Sequence, residues 1–289
     1  LHDYLERHGS ADPSHLVIAA AGPVRDGQVA FTNSTWVLDE PALQHAFYGA
    51  TARVINDFEA IAEALPALGP EHLRQIGDAG LPVASGTFFT VALLGPGTGL
   101  GAGGLLRRGE ATLPLPSEAG HTDFAATDAE QRALLEHIAA AGGQVSGDRL
   151  LSGPGLELLH ATRRTLAGDG GARLSAAGIF EQSAAGDATC RDTLSLYARL
   201  LGQVGGDLVL TLAAWQGLFL AGGVLQRHPD ALDVAAFRAG FEAKGPHAAL
   251  MAKVPVALVT HPWPGLLGGA VIRAGDEVID GSIRGRLDR

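Results

Sequence analysis

The pattern of apolar and polar residues along the chain predicts short strands separated by helices. Apolar runs typical of buried strands occur at His15–Ala20, Arg53–Ile55, Thr87–Leu94, Leu218–Ala221 and Val254–Val259. These runs are continuous rather than alternating, and continuous runs indicate strands covered on both faces. The pattern therefore predicts an α/β protein.

Helical spacing of apolar residues fills the intervals between these strands. It predicts helices over residues 1–9, 58–65, 127–142 and 191–208 and a terminal helix over 265–274. The helix at 127 begins with a capping box that Thr127 opens, and Ser152 is expected to cap another helix. Asp26-Gly27 predicts a hairpin turn with a return strand over 28–31. Glycines at 202, 205 and 206 in the long helix indicate the close approach of another backbone.

Length and composition restrict the class of protein. The chain has 289 residues, of which 46% are hydrophobic, and at ~150 residues a domain this predicts two domains. The net charge of −10 and the absence of a long basic run argue against a nucleic-acid partner. The most apolar segment, 208–225, contains Thr211, Gln216 and three glycines, so a buried helix followed by a strand explains it better than a membrane span.

The cysteine content and the start of the chain suggest where the protein works. A single cysteine, Cys190, cannot form an internal disulfide, which favours a reducing compartment. Residues 1–10 lack the apolar stretch of a signal peptide. We therefore expect a cytoplasmic protein in which Cys190 is a packing residue. Because the first residue is Leu1, we also expect that a segment precedes it.

The glycine-rich segment 95–101, Gly-Pro-Gly-Thr-Gly-Leu-Gly, follows a predicted strand. Backbone N–H groups without side chains in the way can bind phosphate oxygens, and a tight β-turn is the alternative interpretation. Residues 99–104 also fit the G-x-G-x-x-G dinucleotide pattern, but that motif requires a helix next. Residues 105–109 are typical of a hairpin, so we reject a dehydrogenase.

Four further segments carry candidate chemistry. Asn56-Asp57 lies between a strand and a helix, where it could be a helix cap or could place a general base at a ligand cleft. Glu118 and His121 could bind vicinal hydroxyls or lie in a surface loop. Asp148 could be a solvated charge. Gly222-Gly223, after a strand, could border a nucleotide or form a tight turn.

Taken together, six segments resemble the bacterial glucokinase family in their order along nearly the whole chain. They are Ile55-Asn56-Asp57-Phe58, the glycine segment 95–101, residues 117–124 (Ser-Glu-Ala-Gly-His-Thr-Asp-Phe), residues 151–156 (Leu-Ser-Gly-Pro-Gly-Leu), residues 220–224 (Leu-Ala-Gly-Gly-Val) and residues 264–268 (Pro-Gly-Leu-Leu-Gly). The resemblance implies a two-domain actin-like, ribonuclease-H-like α/β sugar kinase fold with an interdomain cleft. It predicts a small domain of residues 1–67 with 262–289, incomplete because its first strands are missing, and a large domain of residues 68–261.

The resemblance also implies a role for each motif. Asp57 would be the general base, and Asn56, Glu118, His121 and Asp148 would bind the sugar. The phosphates of ATP would lie on Gly95, Gly97, Thr98 and Gly99, and Gly222 with Gly223 would border the adenosine. The implied reaction transfers the γ-phosphoryl of ATP, with Mg²⁺, to the 6-hydroxyl of glucose. The predicted partners are glucose and ATP, with no nucleic acid or membrane, and the family analogy suggests a homodimer.

Two departures from the family pattern bear on these roles. The family has Glu where this chain has Asp148, so the carboxylate is one methylene shorter, and Asp148→Glu is expected to tighten glucose binding. The family's N-terminal Asp-x-Gly-Gly-Thr phosphate motif does not occur in the chain, so we expect the chain alone to lack full kinase activity. The alternative function is a sugar-binding sensor or inactive homologue.

Overall fold

A computed structural model describes residues 14–30, 37–47, 50–170 and 172–267 of the chain. The chain divides into two compact units, residues 1–68 with 263–289 and residues 69–262. The first unit therefore uses both ends of the chain. The predicted helix over residues 1–9 and most of the predicted terminal helix lie outside the described residues.

The elements of the first unit before residue 69 are β1 (His15–Ala20), β2 (Gln28–Ala30), β3 (Val37–Asp39), α1 (Glu40–Ala46), β4 (Thr51–Asn56), α2 (Asp57–Ala64) and a 3₁₀ turn (Leu65–Ala67). The second unit contains a 3₁₀ turn (Pro70–His72), β5 (Leu73–Gln75), β6 (Phe88–Pro96), β7 (Leu100–Arg108), β8 (Ala111–Ser117), a 3₁₀ turn (Ala119–His121), α3 (Ala129–Ala140), α4 (Gly147–Leu151), α5 (Gly153–Leu166), α6 (Ala176–Ala184), α7 (Ala188–Leu212), β9 (Leu218–Leu220), α8 (Gly223–Gln226), α9 (Val234–Glu242), a 3₁₀ turn (Gly245–His247), α10 (Ala248–Met251) and β10 (Val256–Val259). The last described element, α11 (Pro264–Leu267), packs against α2 in the first unit.

In the first unit, β1 and β4 form a parallel pair whose register places Ala20 opposite Asn56. The predicted turn at Asp26-Gly27 is confirmed, with positive φ at both residues. The return strand β2, however, pairs with β3 rather than with β1. The reason is packing: Val29 of β2 is buried against Ala20 and Val54, so this ribbon covers the β1–β4 pair instead of extending it.

The second unit is built on a mixed sheet with the strand order β5-β10-β9-β6-β7-β8. The central strand β9 is parallel to both neighbours, and the outer pairings are antiparallel. Strand β6 is buried from Phe89 onward, as its apolar sequence predicts. The edge strand β8 contains Pro114 and Pro116, and prolines are tolerated at a sheet edge because they cannot donate to a ladder.

The long helix α7 is buried against α9, and its glycines make this contact possible. A Cβ at Gly202 would lie 2.0 Å from the Phe237 carbonyl oxygen, and one at Gly206 would lie 2.6 Å from the Phe241 carbonyl oxygen. The reciprocal Gly240 of α9 would place a Cβ 2.1 Å from the Arg199 carbonyl oxygen. The predicted close backbone approach is therefore confirmed.

The starts of α3 and α5 agree with the sequence to within one residue, whereas α7 begins at Ala188, three residues before the predicted Arg191. The N-cap of α3 is Asp128, which accepts from Gln131 N, so the capping box begins one residue after the predicted Thr127. Ser152 caps α5 as predicted, accepting from Gly155 N. Within the described ranges, no helix is long and apolar enough to cross a membrane.

Candidate active site

Asn56 and Asp57 lie in the first unit, where strand β4 passes directly into α2. Asn56 is the N-cap of α2: its Oδ1 accepts from Phe58 N at 2.8 Å, and its Nδ2 donates to Gly22 O at 3.0 Å. Asp57 is the first helical residue, and its Oδ1 accepts from the same amide at 3.0 Å. The capping interpretation is thus confirmed for Asn56. Asp57 stands half-buried at the carboxyl end of a parallel strand, where α/β proteins bind ligands.

The glycine segment lies in the second unit as a hairpin between β6 and β7, with Gly97, Thr98 and Gly99 at its tip. The rejection of a dinucleotide motif is confirmed, because a strand and not a helix follows. Gly97 donates to Gly99 O at 2.7 Å and accepts from Gly153 N at 2.8 Å. Among the described residues, the amides of Thr98 and Gly99 have no hydrogen-bond partner. Two consecutive open amides are suited to an anion.

Glu118 precedes and His121 ends a single 3₁₀ turn after the edge strand β8. Each side chain is 61% exposed, and the Glu118 carboxylate lies 3.8 Å from His121 Nε2. That distance exceeds a direct hydrogen bond, so both groups can reach a ligand. Gly120 between them is buried, and a Cβ there would lie 2.0 Å from the Leu100 carbonyl oxygen. The turn is therefore pressed against the base of the glycine hairpin.

Asp148, in the first turn of α4, contacts the same hairpin. Its Oδ1 accepts from Leu100 N at 2.7 Å, and a Cβ at Gly99 would lie 2.7 Å from that oxygen. A Cβ at Gly147 would lie 3.2 Å from both the Gly120 carbonyl oxygen and the Leu100 side chain. The glycine hairpin, the Glu118–His121 turn and the start of α4 thus meet at the peptide of Leu100.

Gly222 and Gly223 lie at the end of β9, next to the strand that leads into the hairpin. Ala221 N donates to Leu94 O at 2.9 Å, and a Cβ at Gly222 would lie 2.3 Å from the Pro96 carbonyl oxygen. Gly222 is therefore required for packing against the hairpin strand. The guanidinium of Arg227 lies beside Gly223, where an added Cβ would contact it at 3.6 Å.

Several residues that support this arrangement were missed by the sequence analysis. Gln144 Nε2 donates to His121 O at 3.0 Å and to Asp123 Oδ1 at 2.6 Å, which fixes the segment after the 3₁₀ turn. Arg149 in turn donates to Gln144 O at 2.9 Å. The buried Tyr197 donates from Oη to Leu151 O at 2.7 Å and holds the junction of α4 and α5. Burial raises the pKa of Tyr197, so it remains a neutral donor.

Cys190 is buried near the start of α7, as expected of a packing residue. Burial and the neighbouring Asp187 raise the pKa of its thiol to about 11. The thiol therefore stays protonated and unreactive at neutral pH.

Comparison with solved structures identifies the structural class to which this fold belongs. A glucokinase from an Antarctic psychrotroph superposes with a TM-score of 0.81 at 33% identity, covering 92% of this chain and 82% of that one. A ROK-family glucokinase from Streptomyces griseus, in complex with glucose and AMPPNP, shares the fold with a TM-score of 0.57 at 23% identity, over 86% and 78% of the two chains. The fold is that of the actin-like sugar kinases.

The sequence comparisons identify the family within that class. The family model for glucokinase matches residues 1–275. A glucokinase of Caulobacter sp. strain K31 is 42% identical over 273 residues, which cover 94% of this chain and 82% of the relative. The chain belongs to the glucokinase family, and the resemblance stated from the six motifs is confirmed.

Proposed function

We propose that the protein transfers the γ-phosphoryl group of ATP to the 6-hydroxyl of glucose, giving glucose 6-phosphate and ADP. The observation that carries this proposal is that the glycine hairpin with its two open amides, the Glu118–His121 turn and Asp148 meet at one peptide, that of Leu100. A phosphoryl transfer enzyme must hold phosphate and acceptor hydroxyl next to each other. Membership of the glucokinase family supports glucose as the acceptor.

The phosphate end of the site is assigned to the glycine hairpin. The open amides of Thr98 and Gly99 would donate to phosphate oxygens, and Gly95 and Gly97 keep the backbone clear of side chains. Fixed donors of this kind stabilise the charge that spreads over the phosphoryl oxygens in the transition state. Gly222 and Gly223 are assigned to the border of the adenosine.

The sugar end is assigned to Glu118, His121 and Asp148 in the second unit and to Asn56 in the first. The carboxylates accept from sugar hydroxyls, and the imidazole and the amide can donate or accept. A site that pairs each hydroxyl discriminates strongly, because a sugar lacking one hydroxyl leaves a polar group unpaired.

The acid–base role is assigned to Asp57. Its carboxylate would accept the proton of the 6-hydroxyl as that oxygen attacks the γ-phosphorus and the bond to ADP breaks. The proton then leaves to solvent. Asp57 is a candidate on position, since it stands at the carboxyl end of β4 with its backbone fixed by the start of α2.

Mg²⁺ is proposed as the companion of ATP. Over the part of the chain that the structure describes, no three His, Cys, Asp or Glu side chains are placed to hold a metal ion. Such a cluster is not required, because Mg²⁺ in kinases is bound mainly by phosphate oxygens, water and one or two carboxylates. The ion would neutralise charge on the phosphates. No protein ligand is assigned to it.

We also propose that the enzyme acts in the cytoplasm as a homodimer. The lone buried thiol supports a reducing compartment, and family analogy supports the dimer. Sedimentation velocity checks the second point, and a monomer across micromolar concentrations would refute it.

The test of the proposed function is a coupled assay for glucose 6-phosphate with ATP, Mg²⁺ and glucose, comparing the parent protein with Asp57→Asn. Because the chain alone is expected to lack full kinase activity, both proteins carry a family-type Asp-x-Gly-Gly-Thr segment at the N-terminus, and the parent in this form is expected to turn over. The variant should bind glucose with little change but lose about 10²- to 10⁴-fold in turnover, as expected when acid–base assistance is removed. Glucose binding without any product would identify a sensor instead, and a variant within a few-fold of the parent would reduce Asp57 to a helix residue.

A further inference from the structure

The Leu100 peptide is held from two sides by residues distant in sequence. Its N–H donates to Asp148 Oδ1 at 2.7 Å, and its carbonyl oxygen faces buried Gly120, where a Cβ would lie only 2.0 Å away. Leu100 itself is 4% exposed. The residue next to the two open amides of the hairpin is therefore fixed by the same carboxylate that the family resemblance assigns to the sugar.

Electrostatics indicates what Asp148 contributes at this position. A carboxylate next to phosphate-binding amides repels a polyphosphate, so its charge cannot favour nucleotide binding. Its geometry can, because a hydrogen bond to Leu100 N restricts the hairpin tip to one conformation. Gly99 fits the same explanation, since a side chain there would begin 2.7 Å from Asp148 Oδ1 and displace it.

On the basis of the proposed function, we propose that Asp148 is a positioning residue for the nucleotide as well as a sugar ligand: through Leu100 N it holds the Thr98 and Gly99 amides in the shape that binds phosphate. Oδ1 of the carboxylate anchors the hairpin.

The experiment compares Asp148→Asn with Asp148→Ala in the full chain, without glucose. Asparagine keeps an oxygen that accepts from Leu100 N and removes the charge, whereas alanine removes both. Calorimetry with AMPPNP and Mg²⁺ should give Asp148→Asn an affinity at least equal to that of the parent. Asp148→Ala should bind about fivefold or more weakly than Asp148→Asn, the effect of losing one hydrogen bond.

Hydrogen exchange provides a second readout that needs no ligand. The Leu100 amide should exchange faster in Asp148→Ala than in Asp148→Asn or the parent, with melting temperatures showing that both variants are folded. Equal AMPPNP affinities for the two variants, or equal protection of Leu100 in all three proteins, would overturn the proposal. Weakened glucose binding with unchanged AMPPNP binding would leave Asp148 as a sugar ligand alone.

A substitution in the hairpin tests the same contact if Asp148→Ala does not fold. Gly99→Ala should push the Asp148 carboxylate away and weaken AMPPNP binding by a similar factor, and unchanged binding would also overturn the proposal. These readouts do not depend on turnover. If the parent carrying the N-terminal phosphate segment forms no glucose 6-phosphate, the proposed function is refuted, while the affinities and the exchange rates still test the anchor.

Discussion

The chain has two glycine-rich regions, the tip of the β6–β7 hairpin and the middle of helix α7, and their glycines do opposite things. In α7, a Cβ at Gly202 would lie 2.0 Å from a backbone oxygen of α9. At the hairpin tip, a Cβ at Gly97 would have no neighbour nearer than 3.8 Å. The helix needs glycine because another backbone occupies the space, whereas Gly97 leaves space open.

This difference separates a packing glycine from a binding glycine. Space that the protein does not fill, beside two amides that no described residue bonds, points to a ligand. Gly99 lies between these two cases, because the position that its Cβ would take is occupied by the Asp148 side chain rather than by a backbone or by nothing. The three predictions that follow vary one region while leaving the other unchanged.

The largest expected effect is on folding stability, from Gly202→Ala. The new Cβ overlaps the Phe237 carbonyl oxygen, so α9 must move, and we expect a loss of about 3 kcal/mol in the free energy of unfolding. Urea denaturation measures it. The matched control is Gly178→Ala in α6, where the nearest atom to a Cβ is the Ser175 hydroxyl oxygen at 3.3 Å and no backbone atom is in the way. Similar losses in both variants would mean that the α7–α9 contact is not specific.

Gly97→Ala should leave stability unchanged and weaken nucleotide binding. Its Cβ meets nothing closer than ordinary van der Waals contact, so the free energy of unfolding should stay within ~0.5 kcal/mol. The methyl group would occupy the space left for a phosphate, and we expect about tenfold weaker AMPPNP binding, or ~1.4 kcal/mol. Gly170→Ala, at an open position away from the hairpin, should change neither quantity. If Gly97→Ala binds AMPPNP as the parent does, the open space has no role in phosphate binding.

The smallest expected effect is a pH dependence of the free energy of unfolding, caused by a buried histidine between α5 and α7. Burial, and next Arg164, lower the pKa of His160, whose Nδ1 lies 3.0 Å from Thr193 Oγ1 between α5 and α7. When the pH falls below 6.5, the ordinary pKa of histidine, His160 takes up a proton in the unfolded state more readily than in the folded state. The free energy of unfolding therefore falls as the pH falls. Urea denaturation at pH 7 and pH 5 measures the loss.

The matched variant for this titration is His160→Asn, which keeps a donor near Thr193 but has no titrating group. Part of the loss should remain in the variant, because burial and Arg227 also lower the pKa of His228, which stacks on Phe180. An identical pH dependence in the parent and the variant would exclude His160 as a source.

The sequence predicts well what is decided locally. Strands β1, β4 and β6, the hairpin turns and the caps follow from residues within a few positions of each other. Strands β3 and β5 have only three residues each and were missed. Strands β2 and β9 are equally short, but the turn at Asp26-Gly27 before β2 and the glycines at 222 and 223 after β9 made them recognisable. Helix α9 was missed although Phe237, Gly240 and Phe241 recur at i, i+3 and i+4 and are buried, which is a readable helical pattern.

The supporting part of the candidate site could not be predicted from the sequence. Asp148 reaches an amide 48 residues away, and Tyr197 reaches a carbonyl 46 residues away. Gln144 has no motif and acts only because the fold brings His121 to it. The motif residues could be found from the sequence because their backbone conformations require glycines and helix-capping residues, which are recognisable in a single sequence.

The most direct test of the proposal that the β6–β7 hairpin binds phosphate is a titration with AMPPNP and Mg²⁺. The protein is labelled with ¹⁵N at glycine and threonine, and its amide chemical shifts are followed by NMR. The account predicts that the amides of Thr98 and Gly99 show the largest changes and that those of Gly202 and Gly206 in α7 do not move. Unchanged shifts at Thr98 and Gly99 with nucleotide bound, and the largest changes at another segment, would contradict it.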